Sequence, residues 1–443
     1  MASYHAPHEW KEWSEWLAAG LDGRSRWRLP VLMMGLLFGN GRRVVASWIR
    51  AAGLSSDYQD YYYFLQSVGR GWEELGRRVL VLVLQQILKD QPRVLAGVDD
   101  TPTKRYGPKV QGAGFHHDPT PGPAEHPFCY GHIWVTLAVI VRHPLWGTIG
   151  LPIWSWLYVR QKDVPKIPTK HGWSFQTKLE QAFDLVLMMA EVLIATGKTL
   201  WIVTDGAYAK RPFVRPALEL GVTLVGRLRK DSALYDLPPK EKVKRRGRKR
   251  KYGQNRISLA KRAANRHGWI DVNCNVYGRD VVKRIKTFVA THRTFGGAIR
   301  VVIVKEKTGP QFFYCTDLNA SVKEIVEAFA DRTAIEQVFH DVKEVWGSGQ
   351  QQVRNLWSNI GAWHLNLWIH TLVEVWAWNK PAAKLAQRDD SPWDDAERRP
   401  SHADRRKALQ AECLLAEFSA GQTIRSLPRK IRETLKRLLR IAV

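Results

Sequence analysis

Cysteine is scarce: Cys129, Cys274, Cys315 and Cys413 are the four in 443 residues, and no two of them form a C-x-x-C pair. Neither a disulfide framework nor a cysteine zinc site is indicated. A secretory leader is also missing, because MASYHAPHEWKEW has no basic start followed by an apolar core. A reducing, cytoplasmic setting is therefore expected. No apolar run reaches the roughly 20 residues that span a bilayer. The most apolar stretch, Ile133 to Val159, is broken by Arg142, His143, Pro144, Gly147, Gly150 and Pro152. Such a pattern fits short buried strands joined by turns. No internal repeat is visible.

Acid is in short supply as well. Lys plus Arg number 68 against 42 for Asp plus Glu, a formal charge of +26 with a pI near 10.0. A surplus of that size repels itself unless a polyanion or an anionic surface is the partner. Nucleic acid satisfies that need; a membrane-surface role would explain the charge but none of the motifs below. With 45% hydrophobic residues and 20 tryptophans, the chain has ample material for a core.

Hydropathy periodicity divides the chain. Residues 1–90 read as helical: Val31 to Phe38 is apolar, Gly39-Asn40-Gly41 interrupts it, and a second segment runs from Arg42 to Ala52. Ser55 and Ser56 are placed to cap the Tyr-rich DYQDYYYFL helix, and Trp72 to Lys89 forms another. Short helices about a Gly turn, with Arg42 and Arg43 opening the second, resemble a helix-turn-helix and make those arginines DNA-binding candidates. An ordinary helical bundle has the same pattern. Residues 91–230 alternate buried strands (VLAGV, HIWVTLAVIV, IGLPIWSWLYV, TLWIV, VTLVGRL) with a helix from Phe175 to Thr196, which predicts an α/β core.

Residues 231–318 begin with nine cations in twelve positions, Lys240 to Lys251, and continue as strand-like segments that read as an antiparallel insertion. Within that run Arg245, Arg246, Arg248, Lys249, Arg250 and Lys251 are phosphate-contact candidates. Residues 319–380 are helical and Trp-rich, and residues 381–443 form a charged helical tail.

Two acids stand where an enzyme would use them. Asp99 and Asp205 each follow a buried apolar run, and ligand sites in open α/β sheets form beyond strand ends. Either alone has an ordinary explanation as a turn or cap residue. In FADRTAIEQVFHDVKEVW, Phe329, Arg332, Glu336 and Lys343 are spaced by 3, 4 and 7. On one helix they would fall within roughly 60° of one another. A solvated ion-pair stripe accounts for the charges but not for the apolar, aromatic surroundings. His116, His117 and Asp118 form a weaker metal candidate in a Gly/Pro-rich loop.

The string Phe329-x2-Arg332-x3-Glu336-x6-Lys343 resembles the Y-x2-R-x3-E-x6-K signature of bacterial DDE transposases of the insertion-sequence-four superfamily, with Phe in place of the first Tyr. VDDTPTKRYG (98–107) is similar to that family's first motif, a strand-end Asp followed by Thr and then a Lys, here Lys104. VTDGAYAKRPF (203–213) is similar to the second, with Asp-Gly-x-Tyr, and RGRKRKYG (246–253) to the linker into its β insertion.

The resemblance implies an RNase H-like catalytic core interrupted by a β-rich insertion between Asp205 and Glu336, preceded by an all-helical N-terminal domain. It also implies a transposase that cuts and joins double-stranded DNA, both transposon ends and target, as a homodimer on DNA at the nucleoid. Asp99, Asp205 and Glu336 would then hold two Mg²⁺ ions, with Mn²⁺ as a substitute and Asp99 bridging the pair. Such ions activate the attacking oxygen and stabilise the leaving one. Phe329, Arg332 and Lys343 would support them. Asp99, rather than Asp100, matches the family's register, and Asp100 is expected to point away. A joining-deficient nuclease and a non-catalytic DNA-binding regulator are the competing functions.

Overall fold

The computed structural model describes residues 6–54, 58–117, 127–239, 250–386, 395 and 398–418. The expected Ser55–Ser56 cap, Asp118, most of the basic run (including Arg245, Arg246, Arg248 and Lys249) and the basic segment from Pro428 onward lie outside the described residues.

Helices α1 (His8–Ala18), α2 (Arg28–Phe38), α3 (Val45–Ala51), α4 (Tyr58–Arg70) and α5 (Trp72–Gln86) precede strands β1 (Arg93–Lys104), β2 (Gly114–His117), β3 (Phe128–His143) and β4 (Gly147–Tyr158). Then come α6 (Lys178–Ile194), β5 (Thr199–Thr204), α7 (Arg211–Glu219) and β6 (Thr223–Arg227). The β-rich stretch holds β7 (Leu234–Tyr235), β8 (Arg256–Ile257), a short α8 (Leu259–Ala264), β9 (Ile270–Val276), β10 (Arg279–His292), β11 (Gly297–Glu306) and β12 (Gly309–Cys315). The chain returns to helix with α9 (Val322–Asp331), α10 (Thr333–Glu344), α11 (Leu356–Ala377), α12 (Ala382–Leu385) and α13 (His402–Phe418). The protein is thus a mixed α/β fold.

β1 pairs antiparallel with β3 and parallel with β5, β3 pairs with β4, and β5 pairs parallel with β6. Strands β7 to β12 are antiparallel, as expected for residues 231–318, but they do not form a separate body. β12 pairs with β6 through Phe313↔Arg227, Tyr314↔Gly226 and Cys315↔Val225, which joins β10–β12 to the α/β strands in one continuous sheet. The open edge of β6 offers unpaired N–H and C=O groups, and β12 satisfies them.

Side-chain caps start the helices that matter here. Thr177 and Glu180 form a capping box on α6, Ser321 and Glu324 do the same for α9, and the Asn355 side chain accepts from Trp357 and Ser358 N–H at the start of α11. The expected single helix through Phe329 and Lys343 is two helices, because Arg332 is a lone turn residue between α9 and α10.

α11 is buried on every side, so it has no polar face. It lies along β4, where Trp368 donates its indole N–H to Ile153 O, Thr371 donates to Pro152 O, and Ser155 N–H donates to His364 Nε2. The N-terminal helices pack on its other side. They have no core of their own: one continuous apolar cluster runs from Trp10 through the sheet to Cys413. The helical start of the chain is therefore a layer on a shared core. All four cysteines are buried and free, in agreement with the absence of a disulfide framework. Among the described residues no helix is long and apolar enough to cross a membrane.

α4 and α11 cross with their backbones in contact. A Cβ added at Gly69 would lie 1.9 Å from Trp357 O, and one at Gly361 would lie 2.2 Å from Leu65 O. Gly69→Ala should therefore force the two helices apart and cost about 1–3 kcal/mol. Denaturant titration is the check; an unchanged midpoint would contradict the crossing.

Candidate active site

Asp99 is not at a strand end, as its position after an apolar run implied. β1 continues to Lys104 because β3 pairs with it throughout, down to Lys104↔Gly131. It is β5 that stops: its last pair with β1 is Val98↔Thr204. Asp99 and Asp205 are each the next residue after that pair, on strands about 4.8 Å apart. The two acids thus come together where the parallel neighbour ends.

Successive residues of a strand face opposite sides, and Asp99 and Asp100 do so here. On the Asp99 side lies α10. Arg332 Nη1 donates to Asp99 Oδ2 at 2.6 Å and Arg332 Nη2 donates to Glu336 Oε1 at 2.5 Å. One guanidinium therefore bridges a strand carboxylate and a helix carboxylate. Phe329 stands behind it, with its ring 5.8 Å from the guanidinium carbon and packed on Phe313. Two residues beyond Asp99 on the same face, Thr101 Oγ1 accepts from Lys343 Nζ at 2.7 Å. Four residues identified from one helical spacing, and the two acids identified from strands, are all in this neighbourhood.

Burial pushes the Asp99 carboxyl up to about 6. The Arg332 charge and the Asp100 N–H, which donates to Asp99 Oδ1, oppose that shift, while the Asp205 and Asp100 charges add to it. The Asp205 charge thus reaches Asp99. Asp205 Oδ1 itself accepts from Ala207 N–H at 2.6 Å, an Asx-type turn that turns the chain away after β5.

Asp100 points to the other face, as expected, but it is not idle. Its Oδ2 accepts from Lys178 Nζ at 2.6 Å and its Oδ1 from the Tyr208 hydroxyl at 2.9 Å. Tyr208 is 2% exposed, and its hydroxyl pKa is held well above the ordinary range by burial and by the surrounding Asp100, Asp99 and Asp205 charges. The hydroxyl therefore remains a donor and ties the loop after Asp205 to β1. Lys178 and the role of Tyr208 were missed. The tyrosine three residues after Asp205 was in view, but nothing in the spacing names its partner.

Two DNA-binding candidates from distant parts of the chain meet. Arg42 and Lys104 line one groove of about 670 Å³ with Arg354, Gln350 and Tyr106, whose ring is 88% exposed. Arg43, beside them, is half-buried: its stem lies against Gly347, and its backbone N–H donates to Gln350 Oε1. Arg250 and Lys251 are exposed. His116 is buried against Tyr158 and His117 is exposed, so the adjacent histidines face opposite ways.

A family described as DDE superfamily endonuclease matches residues 17–292, more than half of the chain. The match takes in Asp99 and Asp205 and stops before Glu336, so the helix acid rests on its own contacts. No curated protein matches the chain.

Asp99 carries a stability signature. Its folded pKa lies above the usual 3.8, so folding takes up a proton between about pH 4 and pH 6, and this group's contribution falls as pH rises through that window. In the presence of chelator, Asp99→Asn should raise stability at pH 7 by on the order of 1–3 kcal/mol, a Tm increase of about 2 °C. That gain should shrink towards pH 4, where the carboxyl is protonated anyway. Scanning calorimetry across pH decides it, and a gain that is the same at every pH would contradict the burial of this charge.

Proposed function

Since the chain belongs to the DDE superfamily endonuclease family, we propose that it is a DNA transposase, a metal-dependent enzyme that cuts and joins DNA strands, with Asp99, Asp205 and Glu336 as its metal-holding carboxylates. The observation that carries this reading is the Arg332 guanidinium shared between Asp99 and Glu336 beside Asp205. Arg332 joins Asp99 to Glu336 and the Asp205 charge reaches Asp99, so a cation could take the place of the guanidinium, and the all-oxygen donor set suits a hard ion such as Mg²⁺, with Mn²⁺ as a substitute. When bound, two such ions activate the attacking oxygen and stabilise the leaving one.

The chain's own side chains supply the rest of the reaction. Asp99, Asp205 and Glu336 would hold the ions. Arg332 is placed to pass from the carboxylates to a substrate phosphate, since its planar fork fits either partner. Lys343, at Thr101, offers a further phosphate contact. DNA would run from there along the groove of Arg42, Lys104 and Arg354, where cations neutralise phosphates and make binding salt-dependent. Tyr106 offers a stacking face. Hydrolysis would expose a 3′-hydroxyl, which then attacks a target phosphodiester, forming a new P–O bond as the target's own 3′-oxygen leaves and takes up the proton. The insertion-sequence-four likeness, the homodimer on DNA and the nucleoid setting belong to the same proposal.

The test is cleavage of supercoiled donor DNA in Mg²⁺ followed by joining of a pre-cut end to target DNA. Glu336→Gln should reduce both rates about 100-fold or more, equivalent to roughly 3 kcal/mol of transition-state stabilisation, with the far-UV spectrum unchanged. Undiminished cleavage would remove Glu336 from the site. Cleavage without joining would leave a nuclease, and binding without either would leave a regulator.

A further inference from the structure

Behind the catalytic helix lies a second cluster that the carboxylate site does not use. Asp341 on α10, His370 on α11 and His402 at the start of α13 each bring one ligand atom within 4.8 Å of the others. All three are buried, at 8%, 2% and 4% exposure. Asp341 stands five positions after Glu336, about 140° round the helix, so the cluster faces away from the DNA-cutting side.

We propose that Asp341, His370 and His402 form a binding site for a first-row divalent ion of the zinc type. Three observations point to an ion. His370 Nε2 lies 3.3 Å from Gly150 O and so takes the donor role, while its Nδ1 is buried with no hydrogen-bond partner. A bare imidazole nitrogen of this kind costs free energy unless something fills it. His402 Nδ1 is held at 2.5 Å by Glu374 Oε1, the carboxylate–histidine pairing that orients metal-binding imidazoles. Charge gives the third. Glu374 is neutralised by a two-fold contact from Arg405, whereas among the described residues the partners of Asp341 Oδ1 are Gln337 and His340. One buried carboxylate is thus left for a cation.

Two imidazoles and a carboxylate suit zinc, with one position open. Asp341, His370 and His402 line a cavity of about 460 Å³ together with Arg398, Arg399 and Arg405. Trp346 donates its indole N–H to His402 Nε2 at 2.8 Å, which leaves the His402 proton on Nδ1, donated to Glu374. An ion would therefore displace either the Trp346 bond or that Nδ1 proton. Loaded, it would clip the rear of α10 to α11 and α13, stiffening the helix that carries Glu336.

Metal-stripped full-length protein would be dialysed against zinc in excess Mg²⁺, which keeps the carboxylate site occupied, and its zinc content measured. One zinc per chain is expected, bound with Kd below about 1 µM. It should be retained in Asp205→Asn and weakened more than about 10-fold in His370→Gln. Cobalt on the unaltered chain is the second readout, needing no variant. The intense visible absorption of a four-coordinate nitrogen–oxygen site is expected, whereas the weak spectrum of six-coordinate Co²⁺ would overturn the proposal. So would zinc binding indifferent to His370→Gln, or zinc lost in Asp205→Asn.

Discussion

Carboxylates that approach one another repel, and a fold can offset that repulsion by placing positive charge between them. In this chain Arg332 fills that role, with one arm of its guanidinium on Asp99 of β1 and the other on Glu336 of α10. The residue sits at the single-residue turn between α9 and α10. The turn, the sheet and the helix axis are thus tied at one point. An arginine suits it because a planar fork makes two directed bonds where a lysine would make one diffuse contact. A cation can compete with Arg332 for the carboxylates and a substrate phosphate can compete with the carboxylates for Arg332, so the pairing is exchangeable.

Strand alternation organises what surrounds this pairing. Asp99 and Thr101 point towards α10 and take Arg332 and Lys343, while Asp100 points towards α6 and takes Lys178 and Tyr208. One face offers exchangeable charge near solvent, and the other is a satisfied network around a 2%-exposed tyrosine. The second face pins the loop after Asp205 to β1 and keeps the two strand acids in register for the first. The adjacent carboxylates therefore have different surroundings: Asp99 pairs with Arg332, and Asp100 with Lys178 and Tyr208.

Much of this was legible from periodicity. The buried strands, α6 and the helical stretch bearing Glu336 follow from apolar spacing. Asp99 and Asp205 stood out because they follow such runs, and Glu336 because of its spacing from Phe329, Arg332 and Lys343 and the likeness of that string to the transposase signature. What escaped depends on non-local pairing. Asp-Asp-Thr-Pro-Thr-Lys does not read as strand, yet β1 runs through it because β3 pairs there, and Pro102 is tolerated where β5 no longer flanks the strand. The β-rich segment read as an insertion, and only the β6–β12 pairing makes it part of the main sheet. The 3-4-7 spacing gave the correct face but concealed the turn at Arg332, since that residue keeps φ −54° and ψ −29° in the right-handed helical region and the phase carries across it. Asp341, His370 and His402 follow no ligand spacing at all; their meeting is a product of how α10, α11 and α13 pack.

The central claim of the proposal is spatial: Asp99, Asp205 and Glu336 converge on one cation-holding site. Fe²⁺ exchanged into the protein, with ascorbate and peroxide, generates radicals that cut the backbone close to the ion. Convergence predicts fragments ending near 99, 205 and 336 together, all three suppressed by excess Mg²⁺. Cuts at only one of these positions, or at all three but insensitive to Mg²⁺, would contradict a shared site.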